Sequence, residues 1–141
     1  MDPRVARLKQ FFETLSPATV ERELEAVYAP DARFKDPFND VRGVGAIRQV
    51  FARMYEQVDA PRFVITEAVC EGDQAFLTWV FRFRLRKWRD GEQTIRGATH
   101  IQFSFDGRVA MHRDYWDAAE ELYEKLPILG GLMRWLKRQA S

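Results

Sequence analysis

The hydrophobic pattern of this chain changes its period near residue 60, and that change constrains the fold more than any other feature. Before it, apolar residues recur every three or four positions in three segments: 3–15, 18–28 and 44–58. After it, apolar and polar residues alternate in four segments: 63–70, 74–88, 94–105 and 108–116. The first period is that of amphipathic helices and the second that of half-buried strands.

Short turns that contain glycine separate the four alternating segments, at 71–73, 89–91 and 106–107. Strands this closely spaced are expected to pair as an antiparallel meander. A short extended piece at 32–36 and a loop at 37–45 lie between the second and third helices. We therefore predict an α+β domain in which three N-terminal helices pack on one face of a curved antiparallel sheet. A sheet curved in this way against helices forms a cone, and the open end of the cone can admit a ligand.

The composition limits the classes of protein to which the chain can belong. Its 141 residues suit a single domain, 1–141, and 22 Lys and Arg against 21 Asp and Glu give no reason to expect nucleic acid binding. Cys70 is the sole cysteine, which excludes an internal disulfide and a cysteine-based zinc site. No signal peptide and no apolar run of membrane-spanning length is seen, so we expect a cytoplasmic protein without an integral membrane segment.

No motif for a metal or an organic cofactor is present. The stretch GVGAIRQ, residues 43–49, lacks the third glycine of a dinucleotide fingerprint, and no HExxH, Walker or GxSxG motif occurs. We therefore predict no cofactor and no metal.

The last alternating segment, RVAMHRDYWD, carries His112, Asp114 and Trp116 on one face and Met111 and Tyr115 on the other. If the first face points into the cone, an imidazole and a carboxylate lie within reach of each other in an apolar cavity. If it points outward, the same pair is solvated. The pattern alone leaves both arrangements open.

Asp36 stands in RFKDPF, residues 33–38, between a strand-like run and a proline. An Asp-Pro pair commonly starts a turn. Burial beside Phe34 and Phe38 would instead disfavour the charged carboxylate and raise its pKa, which suits a general base that acts on a carbon acid.

Two stretches resemble the ketosteroid isomerase and SnoaL-like members of the NTF2-like superfamily. They are YAPDARFKDPFNDVRGVGAIRQVF, at 28–51, and THIQFSFDGRVAMHRDYWD, at 99–117. The resemblance covers nearly the whole chain and implies the superfamily's cone. It also implies that Asp36 is the base that moves a proton, and that His112, Asp114 and Trp116 face the pocket.

The oxyanion hole of ketosteroid isomerases does not carry over to this sequence. The position of its tyrosine falls on Phe11 or Phe12, and the position of its protonated acid falls on Thr99. Losing such a donor typically costs about 100- to 1000-fold in rate. The resemblance thus implies an isomerase or cyclase with an altered site, acting on an apolar carbonyl or on a terpenoid- or steroid-like substrate.

The predicted site consists of catalytic acid–base residues and of residues that bind the substrate. Asp36, His112 and Asp114 are the predicted catalytic residues. The predicted substrate-binding residues are Phe51, Tyr55, Trp79, Thr99 and Trp116. Arg82, Arg84 and Arg86 alternate with Trp79 and its apolar neighbours, and we expect them on the solvent face.

Four other expectations remain open. The first alternative is a non-catalytic NTF2-like binding or dimerisation module. The second is a limonene epoxide hydrolase-like enzyme, which would need an arginine between two acids inside the pocket. A homodimer through the sheet is expected. The amphipathic segment 118–141 is predicted to be a C-terminal helical extension that acts as a lid, a dimer contact or a membrane-surface element.

Overall fold

The three N-terminal helices lie where the sequence predicts them. The computed structural model describes residues 1–86, 91–118 and 120–121. Helix α1 spans Pro3–Glu13, α2 spans Pro17–Val27 and α3 spans Val44–Gln57. Asp2 and Ser16 cap the first two helices by accepting hydrogen bonds from the backbone amides of Arg4 and Thr19. Each of these two helices has a proline in its first turn, where an amide hydrogen would have no partner within the helix.

Six strands form one sheet in the described part of the chain. They are β1 (Tyr28–Lys35), β2 (Asp40–Arg42), β3 (Val58–Glu71), β4 (Gln74–Leu85), β5 (Gln93–Phe103) and β6 (Val109–Tyr115). Their order is β2-β1-β6-β5-β4-β3. Strands β3 to β6 form the predicted antiparallel meander, but β1 pairs with β6 in parallel. The prediction of a wholly antiparallel sheet is therefore wrong, and the sheet is mixed.

The N-terminal edge of the sheet differs most from the prediction. Strand β1 begins at Tyr28, where a helix end was expected, and β2 occupies part of the predicted loop. Pro30 is tolerated inside β1 because the pairing with β6 is interrupted between Tyr28 and Arg33. The parallel partner, β6, is the last strand in the chain, so no local pattern near β1 signals this pairing.

The helices cover one face of the sheet and enclose the core. Interruptions of the β3–β4 register, after Asp59 and after Ile65, are the kind of irregularity that bends a strand. Alternate residues of β4 from Leu77 to Leu85 face the helices, whereas Arg82 and Arg84 lie on the opposite face. In the described residues, no helix combines the length and the apolar character needed to span a bilayer.

Part of the predicted organisation lies outside the described residues. The end of the predicted strand at Trp88 and nearly all of the predicted helical extension, 118–141, fall there. The single domain of 1–141 with that extension stays a prediction.

Candidate active site

An apolar cavity lies between the helices and the inner face of the sheet. Its volume is about 210 Å³, below the range of roughly 300–1000 Å³ that is usual for drug-sized ligands. The cavity therefore suits a small, mainly apolar ligand. The apolar lining comes from α1, β1, α3 and strands β3 to β5, and includes Phe12, Phe34, Val50, Phe51, Met54, Val58, Phe63, Ile65, Leu77, Trp79, Phe81, Phe83, Leu85 and Ile95.

The structure brings most of the predicted site residues to this one cavity. Those that line it are Asp36, Phe51, Trp79, Thr99, His112, Asp114 and Trp116. Tyr55 is not among the lining residues. It lies on another side of α3, packed against the core, and its hydroxyl is buried without a hydrogen-bond partner in the described residues. The structure does not support the prediction of Tyr55 as a substrate contact.

A chain of hydrogen bonds crosses the inner face of the sheet. The Trp79 indole Nε1 donates to Thr99 Oγ1 (2.8 Å), and Thr99 Oγ1 donates to Asp114 Oδ1 (2.5 Å). The His112 Nε2 lies 2.7 Å from the same Asp114 oxygen. These residues meet because Thr99 and Asp114 are directly opposite each other in the β5–β6 pair. This series of hydrogen bonds thus fixes the orientation of Asp114 Oδ1.

Both ring nitrogens of His112 are hydrogen-bonded. The Tyr28 hydroxyl lies 2.8 Å from His112 Nδ1, and both side chains are buried. Burial, followed by the Asp114 charge, holds the pKa of the Tyr28 phenol well above its ordinary value, so the phenol keeps its proton. With Nε2 held at Asp114, the imidazole is fixed between the two groups.

Asp114 keeps one carboxylate oxygen for the cavity. Both Thr99 and His112 bind Oδ1, and no described residue donates a hydrogen bond to Oδ2. The side chain is 17% exposed, and it lines the cavity. Oδ2 is thus positioned to meet a ligand.

Asp36 closes a turn and also faces the cavity. Its Oδ1 accepts hydrogen bonds from the backbone amides of Phe38 (2.8 Å) and Asn39 (2.7 Å), and the Asn39 side chain donates to both oxygens. Burial raises the pKa of the Asp36 carboxyl, and the negative charge of Asp114 raises it further, while the hydrogen bonds from Phe38 and Asn39 oppose this. Asp36 is thus a stronger base than an ordinary carboxylate.

The sequence did not indicate four polar groups of the site, Tyr28, Asn39, Arg53 and Gln57. Tyr28 appeared to belong to the apolar stripe of α2, and only the parallel β1–β6 pair brings it to His112. Arg53 and Gln57 line the cavity together with Val50 and Met54, at spacings of one helical face. That spacing was a usable signal, since it places two polar residues on the face of α3 that packs inward.

The described residues hold no group of three or more His, Cys, Asp or Glu side chains that could bind a metal ion.

Three helices on the inner face of a curved, mixed sheet with an apolar cavity define the NTF2-like, ketosteroid isomerase-like class of fold. Solved structures agree. A hypothetical protein from Catenulispora acidiphila with this fold, in complex with trimethylamine, is 17% identical, with a TM-score of 0.73. The match covers 87% of this chain and 92% of the other.

Two further similar structures have names that suggest an activity. A putative isomerase of the SnoaL-like family from Agrobacterium tumefaciens is 15% identical, with a TM-score of 0.66 over 81% of this chain and 94% of the other. An LEH-like epoxide hydrolase from M. tuberculosis is 17% identical, with a TM-score of 0.67 over 95% of this chain and 91% of the other. At these identities the likeness shows the fold alone.

The sequence assigns the family directly. The family model of the SnoaL-like domain matches residues 8–112, and the chain belongs to this family. The resemblance found in the sequence is thereby confirmed. None of the curated proteins matches the chain.

Proposed function

We propose that this protein is an acid–base enzyme of the isomerase or cyclase type that acts on a small apolar carbonyl compound. The observation that carries the proposal is the pair of carboxylates, Asp36 and Asp114, facing one apolar cavity and interacting electrostatically. Two acids in different environments are a common basis for dividing the roles of proton acceptor and proton donor.

In this proposal Asp36 removes a proton from the carbon next to the substrate carbonyl. Its raised pKa supports the role, because a better base accepts that proton more readily. The turn formed with Phe38 and Asn39 holds the carboxylate in place. The apolar walls would exclude water from the carbanion.

Asp114, oriented by His112 and Thr99, is the second acid–base group. Its Oδ2, to which no described residue donates a hydrogen bond, can accept the proton from Asp36 and return it to a second carbon of the substrate, and His112 is held between Asp114 and Tyr28. Thr99 already donates its hydrogen to Asp114, so it cannot also donate to a substrate oxygen. Efficient catalysis of the ketosteroid isomerase kind is therefore not expected from Thr99.

The non-catalytic binding module remains the second candidate, because the hydrogen bonds of Asp36 also account for it as a turn residue. An epoxide hydrolase of the limonene type is less well supported. Arg82 and Arg84 lie on the outer face, and Arg53 forms no ion pair with Asp36 or Asp114 among the described residues.

Proton exchange at carbon tests the enzyme proposal without knowledge of the natural substrate. In D₂O, the protein is expected to accelerate deuterium incorporation next to the carbonyl of 2-tetralone, followed by NMR. Asp36→Asn should reduce the rate at least about 100-fold, a typical size for loss of a general base. The wild-type rate should fall as the pH drops through the raised pKa of Asp36, because only the carboxylate accepts a proton.

Asp40→Asn is the matched control, since Asp40 is an exposed acid that pairs with Arg33. Its exchange rate should equal that of the wild type. Exchange no faster than in buffer, or an equal loss in both variants, would contradict the proposal and favour the binding module.

We also propose a homodimer through the outer face of the sheet. Phe76, Tyr115 and Val64 lie on this face and are 52%, 50% and 40% exposed. Exposed apolar side chains grouped on one face are typical of protein interfaces. A cytoplasmic location stays a prediction from the sequence.

A further inference from the structure

Arg53 is the one basic side chain besides His112 among the described residues that line the cavity. It is partly buried, on the inward face of α3, one helical turn before Gln57. It forms no hydrogen bond or ion pair with any described residue, although Arg48, on the same helix, pairs with Glu21 and Glu25. A guanidinium in an apolar cavity thus lacks a counterion within the described protein.

Such a charge is unfavourable unless something pairs with it. Withdrawing a cation from water without a partner costs free energy, and a planar carboxylate offers a guanidinium two parallel hydrogen bonds. Neither cavity acid supplies this pair. Asp114 is bound to His112 and Thr99, and Asp36 to Phe38 and Asn39. In the described part of the chain no other acid lines the cavity, and a carboxylate on a ligand can supply the pair.

Arg53 and the two acids reach the cavity from different elements: Arg53 from α3, Asp36 from the turn after β1 and Asp114 from β6. Gln57 precedes Val58, which lies opposite Leu85 in the β3–β4 pair, whereas Asp114 lies opposite Thr99 and Thr99 opposite Leu77. The apolar wall of β4 lies between these two levels.

We propose that the ligand of this cavity is an apolar monocarboxylate whose carboxylate binds Arg53 while its apolar body extends toward Asp36 and Asp114. The inference rests on the proposed function in that it takes the cavity to be the substrate site, and it narrows the substrate to an apolar acid. Arg53 is a substrate-binding residue here, and it also excludes neutral analogues from tight binding.

A pair of probes of equal shape tests the charge requirement. 2-Naphthoate carries the carboxylate and 2-naphthamide replaces it with a neutral amide, and both are titrated by calorimetry. The wild type is expected to bind naphthoate at least about tenfold more tightly, as a charge-assisted hydrogen bond implies. Arg53→Gln should abolish this preference, and Arg53→Lys should retain part of it, because lysine keeps the charge but not the fork.

Arg84→Gln is the control for the loss of one positive charge, since Arg84 is exposed on the outer face of β4. It should bind both probes as the wild type does. The proposal is overturned if the wild type shows no preference for naphthoate, if Arg53→Gln keeps that preference, or if Arg84→Gln loses it equally.

The outcome is separable from that of the exchange experiment. If the wild type prefers naphthoate but does not exchange the protons of 2-tetralone, the anion site is supported and the proposed catalysis is contradicted. If the wild type exchanges those protons but does not prefer naphthoate, the proposed catalysis is supported and the anion site is contradicted.

Discussion

At the scale of residues, two tyrosines show that a buried hydroxyl stabilises the fold only when it has a hydrogen-bond partner. The Tyr28 hydroxyl is hydrogen-bonded to His112 Nδ1, so its removal leaves an imidazole nitrogen buried and unpaired. The Tyr55 hydroxyl is buried with no partner among the described residues, and burial raises its pKa to about 12. The first hydroxyl stabilises the fold, while the second is a cost that the fold tolerates.

Tyr28→Phe is therefore expected to lower the free energy of unfolding by about 1–3 kcal/mol. Tyr55→Phe should leave it unchanged or raise it slightly, because the variant removes an unsatisfied group. Chemical denaturation of both variants measures the difference. Equal destabilisation of the two would contradict the argument that the hydrogen bond between Tyr28 and His112 stabilises the fold.

At the scale of elements, β5 depends on a glycine to make room for a side chain of the neighbouring strand. Gly97 lies opposite Trp79 in the β4–β5 pair. A Cβ atom at position 97 would lie 2.5 Å from two carbons of the Trp79 ring and 3.1 Å from Trp116 Cβ. Trp79 occupies this space and directs its indole nitrogen to Thr99. The close approach of Trp79 to Gly97 thus shapes the cavity wall and also places the indole nitrogen for its hydrogen bond to Thr99.

Gly97→Ala should destabilise the protein by about 1–3 kcal/mol, the usual cost of overpacking, and should displace Trp79. Gly45→Ala, in the first turn of α3, is the matched control. A Cβ there meets nothing within 4 Å, so stability should stay equal or rise by up to about 1 kcal/mol. Thermal unfolding and tryptophan fluorescence are the measurements, and an unchanged Gly97→Ala variant would refute the steric argument.

At the scale of the whole molecule, the sheet has two faces with different roles. The inner face builds the cavity, while the outer face carries the stacked rings of Phe76 and His100 and a hydrogen bond between Thr66 and Thr78. A second copy on this face would cover the exposed apolar side chains without closing the cavity. The proposed dimer and the proposed active site are therefore compatible.

Phe76→Glu should convert the proposed dimer to a monomer, because a charge on a face that is covered by a second copy is costly to bury. Phe105→Glu is the control, since Phe105 is fully exposed in the turn before β6 and not on the sheet face. Light scattering after size-exclusion chromatography gives the mass of each variant. A monomeric wild type, or a dimer that persists in Phe76→Glu, would exclude this interface.

The sequence by itself determined the elements that depend on near neighbours. Periodicity gave three helices and four strands, because a side chain's face follows from its position within a helix or strand. Alternation along β6 put His112, Asp114 and Trp116 on one face. The family resemblance then indicated that this face points inward, and the lining of the cavity includes all three.

Only the tertiary structure decided which distant residues meet. The parallel β1–β6 pair joins Tyr28 to His112 across 84 residues, and nothing in the local pattern of either segment specifies that partner. The same packing separates Tyr55 from the cavity and leaves Arg53 in it without a counterion among the described residues. Local chemistry fixes which face a residue occupies, but the environment of that face depends on contacts between segments far apart in the chain.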